Sequence, residues 1–431
     1  MVTTFVATGD SFITRRLSDR SESYAALASI IRRADVCFTN LEITTHHYEG
    51  FPGAVSGGTW AIAPPEVLGD LRDYGFNLIA WANNHSLDYS YGGLEATERY
   101  LNAYKFIHAG CGPDLARASE PRYLDTASGR VALIAATSTF DRTWIAGEQR
   151  ADMMGRPGVN PLRHQVIHVI SPEKLRQLTA IADAVGINTL YHYAVQNGYM
   201  KELDPGQVRF GDYVFQAGEK ECQRTTPYER DMKRILKSVA EAKRQADYVL
   251  VSIHSHETKG EHLDEPADFI SIFARQCIDA GAHAIIGHGP HKVGGIEIYQ
   301  GRPIFYSLGN FIFQNETVAH LPSDYYEKFG LSSEHNVADA FDQRGLNDTR
   351  GFAANPSIWA SIVPHWTMED GEVRDITLYP IELGYGKPRY QRGWPQLTKD
   401  NAVLKKVCKL SEVYGTSVTI ENHVGRIVLE R

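Results

Sequence analysis

The sequence is poor in the features that mark a disulfide-stabilised or thiolate-ligated protein. It has five cysteines among 431 residues, an odd number, and they stand far apart. None of them forms a CxxC pair, the usual spacing in thiolate zinc sites and redox motifs. We therefore expect neither a disulfide framework nor a cysteine-ligated metal in this chain.

Long apolar runs and basic runs are also missing. No window approaches the roughly 18 apolar residues that a membrane-spanning helix needs, and the N-terminus lacks the basic and apolar stretches of a signal peptide. The net charge is −8 with no basic cluster, which argues against a nucleic-acid partner. The expectation is a cytoplasmic protein with no membrane or nucleic-acid partner.

Short apolar runs alternate with stretches of helical spacing over much of the chain. Runs typical of buried strands occupy residues 4–9, 34–42, 76–82, 130–137, 248–253 and 282–286. Helical spacing is found between them, at residues 21–33, 65–74, 93–104, 227–245 and 268–280. The alternation predicts an α/β protein with a layered sheet and a site along one edge.

The alternation stops between residues 140 and 226, where Gly/Pro turns and a Tyr-rich stretch follow one another. We interpret residues 140–226 as an insertion that covers the site of a single domain spanning 1–431. Residues 315–431 complete that domain, with a loop to about 355, strands near 357–363 and 373–380, a helix over 397–414 and a hairpin over 418–428. The insertion and the loop are the expected sources of substrate selectivity. The arginines of the insertion suit anion recognition, although each alone is better explained as surface charge.

Side chains that bind divalent metals stand at the ends of the predicted strands. They are Asp10, Glu42, Asn84, His85, His254, His288 and His291. Each alone has an ordinary structural explanation, since an Asp after a strand often caps a helix and a histidine pair can form its own hydrogen bonds. Their convergence on one sheet edge predicts a metal centre. Mixed imidazole and carboxylate ligands favour Mn, Fe or Zn, and a shared carboxylate could bridge two ions.

Six collinear motifs carry a resemblance to a known family. They are GD at 9–10, NLE at 40–42, ANNHSLDYSYGGLEAT at 82–97, SIHSHE at 252–257, DAGAHAIIGHGPH at 279–291 and IEIYQGRPIFYSLGNFIF at 296–313. The last motif is long and specific. The sequence resembles the CapA family of capsule or poly-γ-glutamate synthesis proteins, within the calcineurin-like metallophosphatase superfamily.

The resemblance implies a four-layer αββα metallophosphatase-like sandwich that holds two divalent ions. By position it implies the ligands Asp10 for the first ion, Glu42 in the bridging place, Asn84 and His254 for the second ion, and His288 and His291 shared between them. His85 would be the general acid or would polarise the substrate, because imidazole titrates near neutral pH. Asp88 would either orient His85 or stabilise the turn before the next helix, and the two alternatives are even.

The sequence departs from the family pattern in three places. Phe12 stands where the superfamily has a histidine, which favours a weakly held or absent first ion. The motif GHGPH at 287–291 is one residue longer than the superfamily's GHxH, so the ion that each histidine meets stays open. HSHE at 254–257 replaces HWGxE, which leaves His256 and Glu257 open as additional site residues. Asn310 is a candidate support for the site, with turn stabilisation as the favoured alternative.

The function predicted from these residues is that of a metal-dependent hydrolase. A metal-bound hydroxide would attack an amide or phosphoester bond of a small-molecule or peptide-like anion, with His85 as acid or electrophile. The alternative is a non-catalytic accessory or binding protein of polyglutamate or capsule synthesis that keeps a structural metal. Phe12 favours this alternative, and the intact NNH and GHGPH motifs disfavour it. The bond type and the oligomeric state stay open.

Overall fold

The protein contains two large β-sheets. A computed structural model describes residues 2–17 and 20–429. The strands are, in chain order, β1 (Val2–Phe12), β2 (Val36–Leu41), β3 (Thr44–Thr45), β4 (Ile62–Ala63), β5 (Leu78–Ala80), β6 (Ile107–Ala109), β7 (Cys111–Gly112), β8 (Arg122–Thr126), β9 (Gly129–Thr137), β10 (Gly158–Val159), β11 (His164–Ile170), β12 (Gln207–Phe210), β13 (Tyr213–Ala217), β14 (Cys222–Pro227), β15 (Tyr248–His254), β16 (Thr258–Lys259), β17 (His262–Pro266), β18 (Ala284–His288), β19 (Ile296–Tyr299), β20 (Arg302–Phe305), β21 (Asn310–Phe313), β22 (Ala360–Glu369), β23 (Glu372–Glu382), β24 (Gln396–Leu397), β25 (Val418–Glu421) and β26 (Val424–Ile427).

Helices lie between the strands, and they include those predicted at residues 21–33, 65–74, 93–104, 227–245 and 268–280. They are α1 (Glu22–Ile31), α2 (Val67–Tyr74), α3 (Ser90–Ala103), α4 (Leu115–Ser119), α5 (Pro172–Val185), α6 (Thr189–Gln196), α7 (Glu229–Ala242), α8 (Asp268–Asp279), α9 (Ser323–Lys328), α10 (Val337–Gly345) and α11 (Ala402–Ser411). No helix in the described part of the chain is long and apolar enough to cross a membrane.

Both large sheets have a parallel centre. Sheet A follows the order β25-β26-β23-β22-β1-β2-β5-β6, with β21 beside the end of β1. The strands β1, β2, β5 and β6 are parallel, and β22 and β23 continue the sheet in antiparallel pairs. Sheet B follows the order β19-β20-β18-β15-β9-β8, with β9, β15, β18 and β20 parallel. Helices link the parallel strands, as strand–helix alternation requires.

Side chains that alternate along the strands build three apolar layers between four layers of secondary structure. On β1, Phe5 and Ala7 face sheet B, whereas Val6 packs against α1, α2 and α3. On β15, Leu250 faces sheet A, whereas Val251 packs against α7 and α8. The predicted α/β class and the four-layer αββα order are therefore confirmed, because each sheet is apolar on both faces.

A short link joins the two sheets beside the predicted ligands. Between β20 in sheet B and β21 in sheet A, only residues 306–309 intervene. Leu308 donates its N–H to the Gly287 carbonyl of β18 (3.0 Å), and the Gly309 carbonyl accepts from the Asp10 N–H of β1 (2.9 Å). A Cβ on Gly9 would lie 1.8 Å from the Gly309 carbonyl oxygen, so this crossing requires glycine.

Residues 140–226 break the alternation, as predicted, and fold mainly into a small separate sheet. Its strand order is β12-β13-β11-β14, with α5 packed against β12 and β13. Asp231 of α7 anchors this insertion by accepting two hydrogen bonds from the Arg163 guanidinium (2.7 and 2.8 Å). The Thr225 hydroxyl accepts the N–H of Phe269 at the start of α8 (3.2 Å). These contacts hold the insertion beside α7 and α8.

The segment after residue 315 is more regular than the predicted loop. It contains α9 and α10, whose Tyr325 and Phe341 pack on Trp60 and Ile62 of the loop before α2. The predicted antiparallel strands are β22 and β23, and the predicted hairpin is β25 and β26. The helix predicted over 397–414 is shorter, since α11 covers Ala402–Ser411.

Candidate metal centre

The predicted ligands come together at the carboxyl edges of both sheets. In sheet A, Asp10 lies near the end of β1 and Glu42 directly follows β2. In sheet B, His254 and His288 end β15 and β18 and stand opposite each other in the parallel register. His291 follows in the tight turn after β18, with a left-handed φ of 60°. All five side chains are buried, so the site forms where the two sheet edges face each other.

Asp10 is the carboxylate at the centre of the first group of donors. The Nδ1 atom of His288 lies 3.2 Å from Asp10 Oδ1 and 3.0 Å from His254 Nδ1. Asn40 donates to Asp10 Oδ1 (2.8 Å), and the Gly289 N–H donates to Oδ2 (3.0 Å). These two hydrogen bonds fix the carboxylate plane against the histidines.

Two further groups of donors overlap with the first. His254 Nε2 lies 3.1 Å from His256 Nε2 and 3.7 Å from Glu42 Oε1. His291 Nδ1 lies 3.7 Å from Asp10 Oδ2 and 3.8 Å from Glu42 Oε2. Within each group the donor atoms are all within 4.8 Å of one another, a spacing that one metal ion can span. His254 belongs to two groups because its two ring nitrogens face opposite sides.

Two carboxylate oxygens of the cluster, and one amide oxygen in the turn after β5, are buried without a hydrogen-bond donor among the described residues. Both carboxylate oxygens of Glu42 and the Oδ1 atom of Asn84, in the turn after β5, accept no hydrogen bond from the described residues. Glu42 is fully buried and Asn84 is 3% exposed. A buried carboxylate without donors is strongly unfavourable unless a cation compensates its charge. The donor set therefore fits a divalent cation, and oxygen with imidazole ligands suits Mn, Fe or Zn.

The electrostatics of the cluster agree with that fit. Burial raises the pKa of Asp10, but hydrogen bonds and charge from His254 and His288 outweigh it and hold the pKa well below its usual range. Burial lowers the pKa of His254 to about 4, so its ring is neutral at pH 7 and its lone pairs are available. Burial, together with Asp10 and Asp88, raises the pKa of Glu42 well above its ordinary value. The protein alone thus leaves one carboxylate poorly compensated.

His85 and Asp88 form a closely held pair at the rim of the cluster. His85 Nδ1 lies 2.6 Å from Asp88 Oδ2, and both side chains are buried. Asp88 also accepts the N–H groups of Ala61 (2.7 Å) and Gly57 (3.0 Å). Asp88 is therefore placed to orient His85, and its other two hydrogen bonds hold the loop at 57–61, not the turn before α3. The Phe12 ring packs edge-on against the His85 ring, with centroids 5.1 Å apart.

The structure separates the two residues of the HSHE motif that the sequence left open. His256 joins the cluster. Its backbone N–H donates to the Thr139 hydroxyl, and its imidazole ring lies against that of His254. Glu257 points away from the cluster and accepts hydrogen bonds from Ser138 and Ser255.

Several supporting contacts were not predicted from the sequence. Asn40 holds Asp10 (2.8 Å), and its place in the NLE motif was the available signal. Ser252 bonds to His288 Nε2 (2.7 Å). The predicted support residue Asn310 contacts His291 Nδ1 (2.9 Å) through Oδ1.

A cavity of about 350 Å³ opens above the cluster. Its walls come from the loop at 57–59, the segment after β15, the turn after β18 and the segment after residue 313. The lining residues are Phe12, Gly57, Gly58, Thr59, His85, His256, Thr258, Leu263, Gly289, Pro290, His291, Lys292, Phe313, Asn315, Arg344 and Phe352. None of these described residues belongs to 140–226, and the prediction that the insertion covers the site stays a prediction. The insertion is held beside α7 and α8.

A known protein family matches the part of this chain that contains the motifs and the donor cluster. The sequence profile of the family described as bacterial capsule synthesis protein PGA_cap matches residues 4–315. The chain belongs to the PGA_cap family. This match contains the predicted ligands and confirms the resemblance to CapA proteins. Arg344 and Phe352, which line the cavity, lie outside the matched residues.

Individual PGA_cap relatives differ in how much of the chain they match. Uncharacterized protein y4sH of Sinorhizobium fredii (strain NBRC 101917 / NGR234) is 36% identical over 440 residues, covering 99% of this chain and 93% of the relative. The capsule biosynthesis protein CapA of Bacillus anthracis is 39% identical over 251 residues, 58% of this chain and 43% of the relative. The probable polyglutamine synthesis accessory protein Rv0574c of Mycobacterium tuberculosis (strain ATCC 25618 / H37Rv) is 27% identical over 286 residues, 66% of this chain and 57% of the relative.

Proposed function

We propose that this protein is a metal-dependent hydrolase of an anionic substrate, acting on an amide or phosphoester bond. The observation that carries the proposal is the set of buried acceptors without donors, Glu42 and Asn84, beside neutral histidines under an open cavity. Such an arrangement is unfavourable without a cation and well suited to one. The names of relatives link the family to capsule and polyglutamate synthesis, which makes a peptide-like anion a reasonable substrate class.

The donors form three overlapping groups, which together suit two divalent ions such as Mn, Zn or Fe. Asp10, His254 and His288 would hold one ion, and Glu42 with Asn84, His256 or His291 would hold the other, with Asp10 and Glu42 near both. A bound divalent ion supplies positive charge that acidifies water and stabilises negative charge in the transition state. Asn40 and Asn310 keep the carboxylate and imidazole ligands in place.

His85 is the residue that we assign to proton transfer. Its Nδ1 atom is occupied by Asp88 (2.6 Å), which leaves Nε2 as the nitrogen available to a substrate in the cavity. Asp88 is itself held by two backbone N–H groups, so the imidazole keeps one orientation. A proton held at Nε2 could pass to the leaving group as the bond breaks, a role typically worth about 10²–10⁴-fold in rate.

The test combines metal analysis with a matched pair of chromogenic substrates. We expect the purified protein to bind Mn²⁺ or Zn²⁺ and to hydrolyse bis(p-nitrophenyl) phosphate or γ-glutamyl-p-nitroanilide. His85→Ala should keep the metal content and lose at least about a hundredfold in kcat. Full turnover by His85→Ala would remove the role assigned to His85. A protein that binds no metal, and whose melting temperature no added Mn²⁺ or Zn²⁺ raises, would remove the metal centre.

The second candidate is a non-catalytic accessory protein of polyglutamate or capsule synthesis with a structural metal. Phe12 favours it, because this ring packs on His85 at a position where the superfamily places a metal-binding histidine. The Mycobacterium tuberculosis relative is described as a probable accessory protein, which agrees with this candidate. A metal-loaded protein that binds an anionic peptide yet turns over neither chromogenic substrate would favour this candidate.

A further inference from the structure

Arg344 is a cation in the cavity wall that the proposed chemistry does not use. It is the second-last residue of α10 and lines the cavity beside Thr59 and Phe352. Its guanidinium carbon lies 5.7 Å from the centre of the Phe352 ring, and that ring is 5.3 Å from the His291 ring. Arg344 is therefore separated from the metal-ligand cluster by the width of one aromatic side chain.

The guanidinium of Arg344 is held in place by neutral partners. Its Nη1 atom donates to the hydroxyl groups of Thr59 (2.9 Å) and Tyr325 (3.2 Å). A guanidinium carries five N–H groups in a planar fork, so the Nη2 and Nε side still offers three. Among the described residues, no carboxylate oxygen lies within 4.0 Å of a guanidinium nitrogen of Arg344, the distance that defines an ion pair.

Lys292, the other lysine or arginine among the described lining residues, contrasts with Arg344 because it has a carboxylate partner. The Lys292 ammonium lies 2.9 Å from Asp264. Arg344 thus presents an uncompensated positive charge, already oriented, toward the space above the metal cluster.

We propose that Arg344 binds an anionic group of the substrate, a carboxylate or a phosphate, through its free Nη2 and Nε edge. The planar fork of arginine matches both groups in bidentate geometry. The proposal rests on the proposed function, since it places the anion in the same cavity as the metal centre. Arg344 lies outside residues 4–315, the part that the family profile matches. It would therefore set substrate selectivity in this chain while the ligands within the match supply the chemistry.

The test measures anion binding by titration calorimetry in the full-length protein, with and without Mn²⁺. The probes are inorganic phosphate and γ-linked triglutamate, which distinguish a phosphate from a carboxylate as the recognised group. Arg344→Gln removes the charge, and Arg344→Lys keeps it but removes the planar fork. Lys328→Gln is the matched control, because Lys328 is an exposed cation of the same segment and does not line the cavity.

Arg344→Gln should bind one or both probes about tenfold to a hundredfold more weakly, as expected for a charge-assisted hydrogen bond. Arg344→Lys should recover only part of that loss, and Lys328→Gln should bind like wild type. The variants should keep the wild-type Mn²⁺ affinity and melting temperature. A wild-type protein that binds neither probe, or an Arg344→Gln variant that binds both unchanged, overturns the proposal. Failure to bind Mn²⁺ would instead overturn the metal centre, and the titration without Mn²⁺ would still report on Arg344.

Discussion

Replacing Glu42 by glutamine should change the stability of the protein in opposite directions with and without metal. Both carboxylate oxygens of Glu42 are buried and lack a donor within the described chain. In the metal-free protein, Glu42→Gln removes a poorly compensated charge and keeps the shape of the side chain, so it should be stabilising. With metal present, the same change removes a ligand, so the variant should lose part of the stabilisation that metal gives wild type.

The expected changes in melting temperature follow from the burial of Glu42. Leaving a buried polar group without a partner costs about 1–3 kcal/mol, and more when the group is charged. Unfolding entropy of about 2.1 cal/mol/K per residue, over 431 residues, gives about 0.9 kcal/mol/K. Glu42→Gln should therefore raise the metal-free melting temperature by about 1–3 °C. Mn²⁺ at a hundred times its Kd should stabilise wild type by about 2.7 kcal/mol, or about 3 °C, for each site that it fills, and should stabilise the variant less.

The stability of the metal-free protein should fall with rising pH because of Glu42. Burial, Asp10 and Asp88 raise the pKa of Glu42, so the folded metal-free protein holds this proton more tightly than the unfolded chain does. The stabilising contribution is fully present below the ordinary carboxyl pKa, about 4.3, and is lost as the pH rises toward the folded pKa. The stability advantage of Glu42→Gln in EDTA should therefore grow as the pH rises above about 4.3.

Thermal unfolding in EDTA and in Mn²⁺, followed by circular dichroism, measures both effects. The control is Glu297→Gln, because Glu297 is also buried but accepts hydrogen bonds from Arg275 (3.0 Å) and Tyr306 (2.6 Å). The control should be destabilised in both buffers and should keep its response to Mn²⁺. If Glu42→Gln also loses stability in EDTA, the oxygens of Glu42 have partners in solution and the reasoning fails.

Three further substitutions, one of them with a matched control, test other parts of the structure. His256→Ala should weaken Mn²⁺ or Zn²⁺ binding by at least about tenfold in calorimetry; unchanged affinity would exclude this imidazole as a ligand. Gly9→Ala should cost more than about 3 kcal/mol in urea unfolding, because its Cβ would lie 1.8 Å from a backbone carbonyl oxygen. Gly69→Ala in α2, where the nearest atom is 3.5 Å away, should be neutral or stabilising. Asp231→Asn should cost about 2–3 kcal/mol at pH 7. Burial raises the pKa of Asp231, but Arg163 and Arg234 outweigh it and lower the pKa, so this cost should shrink below about pH 4.

The strand–helix pattern was sufficient for the α/β class and for the meeting of the strand-end residues, and the family resemblance supplied the four-layer order. Alternating apolar runs identify the parallel strands, and parallel strands carry their end residues, such as Asp10 and His288, to one edge. The direction of His256 could not be predicted, because it depends on a hydroxyl group 117 residues away, that of Thr139.

The position of residues 140–226 could not be predicted from the sequence for a similar reason. Lost periodicity marks residues 140–226 as an insertion, but its place is set by the distant pairs Arg163–Asp231 and Thr225–Phe269. The segment after residue 315 was expected to contribute to selectivity, and the cavity wall contains its Arg344 and Phe352. Its two helices pack on Trp60, a contact that no local pattern reports.

The crossing at residues 306–309 has a consequence for how the ligands are organised. Sheet A supplies Asp10 and Glu42, sheet B supplies His254 and His288, and the crossing hydrogen-bonds to a strand of each sheet. Neither sheet can slide along the other without breaking these bonds beside Asp10 and Gly287. The relative position of the two ligand sets is therefore fixed when the chain folds, and little conformational entropy remains to be lost when a cation binds.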